Sequence, residues 1–202
     1  APTNWKSRTR GKIKLGKYDV ILTNAPFGAK IPIKGEKILS QYDLGYKWKY
    51  DKKKETWKKT SKIKDKRPPQ ILFIERCLQF LNENGRMAIV LPDSIVGNQT
   101  DGYIREMILE HAKLLAVVDC PVETFQPNGG TKVSVVFLQK KDKDEDVNDC
   151  PIFLAKAEKC GHDRRGKMIY KFDENDETIP DDDFPKIAEE YKRFIRNPDV
   201  YN

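Results

Sequence analysis

A short apolar run that breaks directly into a rigid polar turn constrains this chain more than any other feature. Tyr18-Asp19-Val20-Ile21-Leu22-Thr23-Asn24 leads into Ala25-Pro26-Phe27-Gly28. The short apolar run from Val20 to Leu22 predicts a buried parallel strand. In an open α/β sheet, ligands lie outside the carboxyl ends of the strands. A strand that ends on Asn24 delivers an amide there, with one carbonyl oxygen and two N–H donors. Pro26 fixes its own backbone and keeps Ala25 extended. Phe27 adds a flat ring on which a base can stack. The same residues also fit a plain loop with an Asn turn and a buried Phe.

The chain that follows alternates helix and strand signals. Pro68-Pro69 suits a helix start. Ile71, Ile74, Leu78 and Leu81 recur at helical spacing beside Phe73, Cys77 and Phe80, and Asn84-Gly85 is a stop. Met87 to Leu91 predicts a second buried strand, closed by Pro92. Strand, helix, strand with a right-handed crossover makes a parallel pair. Asp93 and Ser94 then read as a turn cap. Asp101 can cap a further helix with Ile104, Met107, Ile108 and Leu115 on one face and His111 near its end. Leu114 to Asp119 and Lys132 to Lys140 predict two more strands. The link between them, Pro121 to Thr131, is rich in turn formers, so this pair should be antiparallel. The expected fold is α/β, a mostly parallel sheet ending in an antiparallel hairpin.

A basic insertion spans residues 29–68. Lys47, Lys49, Lys52, Lys53, Lys54, Lys58, Lys59, Lys62, Lys64, Lys66 and Arg67 face only Asp51, Glu55 and Asp65, with Trp48, Tyr50 and Trp57 interleaved. Lysines neutralise phosphates and aromatic faces stack on bases, so Lys47, Trp48, Lys49, Lys52, Lys53, Lys54, Trp57, Lys58 and Lys59 are candidate nucleic-acid contacts. A solvated charged loop is the alternative. Over the 202 residues, 38 Lys and Arg exceed 31 Asp and Glu, a net charge of +7, the sign a phosphate-binding surface requires.

Cys77 and Cys120 fall where small buried hydrophobes belong. Cys150, Cys160 and His162 match no zinc spacing, and no metal is expected. Asp181-Asp182-Asp183 reads as the acidic start of a last helix running to about Arg196. Unpaired thiols and the absence of a signal-peptide pattern or an apolar membrane span point to the cytoplasm.

The Asn24-Ala25-Pro26-Phe27 stretch resembles the Asn-Pro-Pro-Phe motif of the DNA N6-adenine methyltransferases, above all the modification subunits of type I restriction–modification systems. Asn24, Pro26 and Phe27 match, whereas Ala25 departs from the usual Pro. The resemblance implies a Rossmann-like class I methyltransferase sheet. It also implies that Asn24 and the Ala25 carbonyl hold the adenine amino group, with Asn24 facing S-adenosylmethionine. Phe27 would stack on the flipped base, and Phe125 on its other face. The segment Ile38 to Trp48 resembles the matching insertion of type I subunits, and Pro151 to Tyr170 the extension after their catalytic sheet, where Arg164 and Arg165 could touch phosphate.

The family binds its cofactor with a first sheet half bearing a Gly-x-Gly turn, and no Gly-x-Gly occurs here. Gly11 and Gly16 are too far apart to serve. Residues 1–140 are therefore expected to be the carboxyl-terminal part of a methyltransferase domain, and residues 141–202 a linker and a small α+β extension. Expected partners are DNA, a specificity subunit, and either the missing half or a second copy. A non-catalytic module gripping DNA or a subunit is the alternative, and the same motif type also serves enzymes acting on RNA bases or glutamine.

Overall fold

The computed structural model describes residues 13–27, 31–142 and 150–198. Gly28 and most of the expected lead-in and linker lie outside the described residues. The strands in chain order are β1 (Tyr18–Asn24), β2 (Ile33–Lys34), β3 (Tyr46–Asp51), β4 (Thr56–Ile63), β5 (Lys66–Arg67), β6 (Leu81–Pro92), β7 (Ala112–Asp119), β8 (Val133–Lys140), β9 (Phe153–Lys156), β10 (Tyr170–Phe172) and β11 (Thr178–Pro180). The helices are α1 (Glu36–Leu39), α2 (Pro69–Phe80), α3 (Asp93–Gly97), α4 (Gly102–His111) and α5 (Phe184–Arg196).

Five strands form one sheet in the order β1-β6-β8-β7-β9. β1 runs parallel to β6, with Asn24 opposite Val90. β8 runs antiparallel to both β6 and β7, so four strands point one way and one points back. The antiparallel strand sits inside the sheet, and β9 adds in parallel outside β7. The reason is legible in β8 itself. Val136 and Leu138 are buried in the main core on one face, and Phe137 packs on the other. A strand apolar on both faces belongs in the middle.

α2 and α4 cover one face of the sheet. Ile71, Ile74, Leu78, Ile104 and Met107 meet Met87, Ile89, Leu91 and Leu138 there in the main core. α5 covers the other face only beside β7 to β9, where Phe153, Phe194 and Tyr191 pack with Phe137. The strand expected to be buried, Val20 to Leu22, is instead an edge. Val20 is 62% and Leu22 78% exposed, and Ile21 alone of the three packs inward. β6 is the one strand neighbour of β1 among the described residues, and none of them covers its outward side chains.

α2 also stops short of the predicted Asn84-Gly85. The incoming chain caps it, because the Gly16 and Lys17 N–H groups donate to the Gln79 and Phe80 carbonyls. Asn84 then takes a positive φ of 63°, inside an irregularity where the register slips between Tyr18 and Val20.

Over its described residues, 31–68, the insertion is closed at its base by the β2–β5 ladder. Arg67, the last cation of the basic insertion, is 3% exposed. Its guanidinium donates to the Leu44 carbonyl, to the Tyr103 hydroxyl at 2.6 Å and to the Tyr46 carbonyl at 3.3 Å. The buried Glu75 carboxylate accepts the Asp43 and Leu44 N–H groups, each at 2.9 Å. Burial pushes the Glu75 carboxyl above the ordinary range, and the two N–H bonds offset part of that. These two buried side chains satisfy backbone groups of the insertion that water would otherwise have to reach.

Candidate functional site

Asn24 ends β1 at the carboxyl edge of the sheet and is exposed, Ala25 is buried, Pro26 is exposed and Phe27 is half-buried. The loop between β7 and β8 returns to the same place. Asn24 to Phe27 form one wall of a recess of about 300 Å³, and Phe125, Asn128, Gly129 and Thr131 form the other. The Phe27 and Phe125 rings meet edge to face, with centroids 6.3 Å apart and planes at 79°. The structure thus brings together residues about a hundred positions apart in sequence. It does not present them as two parallel faces, so a flat base enters between them only if one ring swings. Asn128, read in sequence as one turn former among many, adds a second amide to the wall. Its place in a glycine-rich loop returning to the strand ends was the signal available.

The Phe125 loop is held at its root. Thr124 Oγ1 donates to the Pro121 carbonyl at 2.7 Å, and the Gly129 N–H to the Phe125 carbonyl at 2.7 Å. Lys132 Nζ lies 2.8 Å from Asp119 Oδ1, 2.9 Å from its Oδ2 and 3.4 Å from Asp93 Oδ2. Its hydrogen bond to Asp119, with Asp93 nearby, holds the ammonium above the usual lysine range. Asp93 is therefore an anchor at the end of β6 as well as a first-turn residue of α3.

The basic hairpin β3–β4 divides into two populations. Lys47, Lys49, Lys52, Lys53, Lys54, Lys58 and Lys59 are exposed, with Lys58 paired to Asp51 and Lys59 to Asp43. Trp48 and Trp57 pack against the core instead. Trp48 stacks on Tyr103 at 5.9 Å and donates from Nε1 to the Asp43 carbonyl at 3.1 Å. Trp57 meets Tyr103 edge-on at 5.6 Å, and its N–H donates to Glu106. Both rings are half-buried on the side of the ribbon that docks, because a two-stranded ribbon needs an apolar side to pack. Tyr50, 48% exposed, is the hairpin aromatic left at the surface.

Size alone does not mark the site. A roomier groove of about 480 Å³ lies by Glu75, Gln79, His111 and Lys140, but Glu75 is committed to backbone N–H groups and Lys140 donates to the Leu81 carbonyl at 2.7 Å. The Asp181-Asp182-Asp183 run is committed too. Asp181 pairs with Lys159 and Lys171, Asp182 accepts the Phe184 N–H, and Asp183 accepts the Glu158 and Lys159 N–H groups. Cys160 Sγ lies 3.7 Å from His162 Nε2, and no cluster of three potential ligands occurs among the described residues. Cys77 and Cys120 are buried free thiols, and burial pushes Cys77 up to about 11.

The sequence profile of the family described as N-6 DNA Methylase matches residues 4–201. The methylase subunit of the type I restriction enzyme EcoEI from Escherichia coli is 30% identical over 77 residues, 38% of this chain and 16% of that protein. The crystal structure of a type I restriction–modification methyltransferase subunit from Streptococcus thermophilus superposes with a TM-score of 0.55 at 19% identity, covering 94% of this chain and 34% of the other. The crystal structure of a class I S-adenosylmethionine-dependent methyltransferase from Listeria monocytogenes gives 0.51 at 17% identity, covering 68% of this chain and 36% of the other. These likenesses show the class I methyltransferase sheet. The chain spans about a sixth of the curated relative and about a third of each structure.

Proposed function

The chain belongs to the N-6 DNA Methylase family, and we propose that it forms the target-base part of an S-adenosylmethionine-dependent DNA adenine N6-methyltransferase of the type I restriction–modification kind. The observation that carries this reading is the shared recess of Asn24 to Phe27 and Phe125 at the carboxyl edge of the sheet. An adenine must leave the double helix to be reached. The Asn24 side-chain oxygen and the Ala25 carbonyl accept the two amino hydrogens and turn the nitrogen lone pair toward the methyl donor. Phe27 and Phe125 hold the ring after one of them swings. The amino nitrogen would take the methyl from S-adenosylmethionine, if bound beside Asn24, the sulfur leaving as the neutral thioether, and the surplus amino proton would then pass to water, so no side chain has to remove a proton beforehand.

S-adenosylmethionine supplies that methyl. The described residues fit it poorly. None forms a Gly-x-Gly turn after a strand, and Asn24 is the one polar side chain of the motif. In this reading the cofactor pocket comes from a further sheet half that joins at the free edge of β1, beside the exposed Val20 and Leu22. A specificity subunit supplies sequence choice. The poor cofactor fit is also what favours the second reading, a DNA-gripping module without chemistry of its own.

Two measurements test this. Calorimetry of the chain alone with S-adenosylmethionine should give no binding, and binding appears once the remainder of the domain is supplied. In that assembly, labelled methyl should pass to adenine N6 in duplex DNA, and Asn24→Ala should abolish transfer. Activity surviving Asn24→Ala refutes the assigned role, and binding without any transfer supports the module.

A further inference from the structure

The loop that carries Phe125 separates two recesses. Phe125 lines the one just described. Glu123, two residues earlier in the same short 3-10 turn, Val122–Phe125, lines a second of about 520 Å³ with Lys159, His162, Arg164 and Arg165. Gly161 to Arg165, the first part of the turn that runs on to Met168, form much of the wall of this second recess, and the turn packs on the Phe125 loop directly. Gly166 has a φ of +79°, and a Cβ there would lie 3.2 Å from Pro127 Cδ. Arg164 Nε lies 3.5 Å from Glu123 Oε1.

The turn is built to aim cations outward. Its one carboxylate, Asp163, is spent on its own backbone: Oδ1 accepts the Arg165 N–H at 2.8 Å and the Lys167 N–H at 2.9 Å. The Asp163 N–H donates to the Lys167 carbonyl, and the Gly166 N–H to the Asp163 carbonyl. Asp181 is taken by Lys159 and Lys171. Arg165 and Lys167 have no ion-pair partner among the described residues, and both are exposed. The Arg164–Glu123 contact is long and its arginine is exposed, the kind of pair that yields readily to a stronger anion.

We propose that this turn is a phosphate-gripping arm, with Arg165 and Lys167 holding the DNA backbone next to the nucleotide whose base enters the Phe27–Phe125 recess. The inference rests on the reading of that recess as a base site. A nucleotide with its base on one side of the Phe125 loop runs its backbone past that loop, within reach of the side chains packed on its other side. Phosphate contacts set register without reading sequence, so the arm positions the base and does not select it.

The test uses the full chain and two labelled duplexes, one fully paired and one with an extrahelical adenine, with affinity measured across a salt titration. The wild-type chain should prefer the extrahelical adenine. Arg165→Ala/Lys167→Ala should weaken binding to both duplexes by the same factor and lower the salt slope by about one for each cation removed, leaving the preference intact. Arg165→Lys/Lys167→Arg should restore the slope. An unchanged slope in the alanine variant, with the preference kept, overturns the arm and leaves the base site standing. Absence of the preference in the wild-type chain overturns the base site and, with it, the arm.

Discussion

Phe27 and Phe125 touch edge to face, 6.3 Å between centroids, so each ring currently fills the space that a base would take between them. The edge of one ring against the face of the other is a favourable pair in itself. A base must replace that contact with two stacks. Phe27→Ala and Phe125→Ala should each lower the preference for an extrahelical adenine by about 1–3 kcal/mol, the usual value of one aromatic–base stack. Affinity for paired DNA should stay constant, since neither ring carries charge. Equal losses on both duplexes would place the rings outside the base site.

Lys132 ties the root of the Phe125 loop to Asp119 and Asp93. Its side chain is 43% exposed, so Lys132→Met should change global stability by less than about 1 kcal/mol. The loop nevertheless loses its tether, and the two carboxylates then face each other uncompensated. The extrahelical-adenine preference should fall much as it does for Phe125→Ala. Thermal unfolding and duplex affinity, measured on the same variant, separate the two effects.

The hairpin offers a clean contrast between charge and packing. Replacing Lys52, Lys53 and Lys54 by Ala should reduce the salt slope of DNA binding and leave unfolding unchanged, because all three are exposed at the ribbon end. Trp48→Ala should do the reverse, costing about 3–5 kcal/mol of stability as a large aromatic leaves a packed site. Its DNA salt slope should stay the same in conditions where it folds.

Glu75 gives a pH signature. Burial raises its carboxyl above the ordinary 4.5. In the window from there up to its folded value, the native state binds more protons than the unfolded state. Its contribution to stability is therefore greatest below that window and falls as pH rises through it. Glu75→Gln should flatten this component in a pH series of urea melts. Glu75→Ala strands the Asp43 and Leu44 N–H groups and should cost about 1–3 kcal/mol at any pH. A pH profile of Glu75→Gln that superposes on the wild type would refute the assignment.

The sequence patterns that repeat were readable. Ile71, Ile74 and Leu78 foretold α2, and Val133 to Leu138 foretold a strand, because burial on one face or two leaves a period. The turn-rich link foretold that β7 and β8 are antiparallel. Patterns could not say that β8 would insert beside β6, since that depends on which neighbour can bury its second face. They misjudged Val20 and Leu22 because an apolar run says nothing about whether its cover is present. At the site, the Asn24 motif was legible by its residues, and its meeting with Phe125 was expected only from family likeness. The edge-on geometry of the two rings was invisible, as were the inward turn of Trp48, Trp57 and Arg67. A Lys-rich ribbon hides its apolar side among its charges, and only Tyr103, far along the chain, reveals which side that is.

β1 exposes Val20 and Leu22 along an edge that has one strand neighbour among the described residues. Such an edge is a template for any extended chain that meets it, including another copy in a partly unfolded form. The melting temperature of this polypeptide is then a property of its surroundings as much as of its sequence. It should climb when a strand is supplied in trans at β1. Without one, heating should end in irreversible aggregation whose apparent midpoint moves with scan rate. A charged residue at position 22 should slow that aggregation without touching the core.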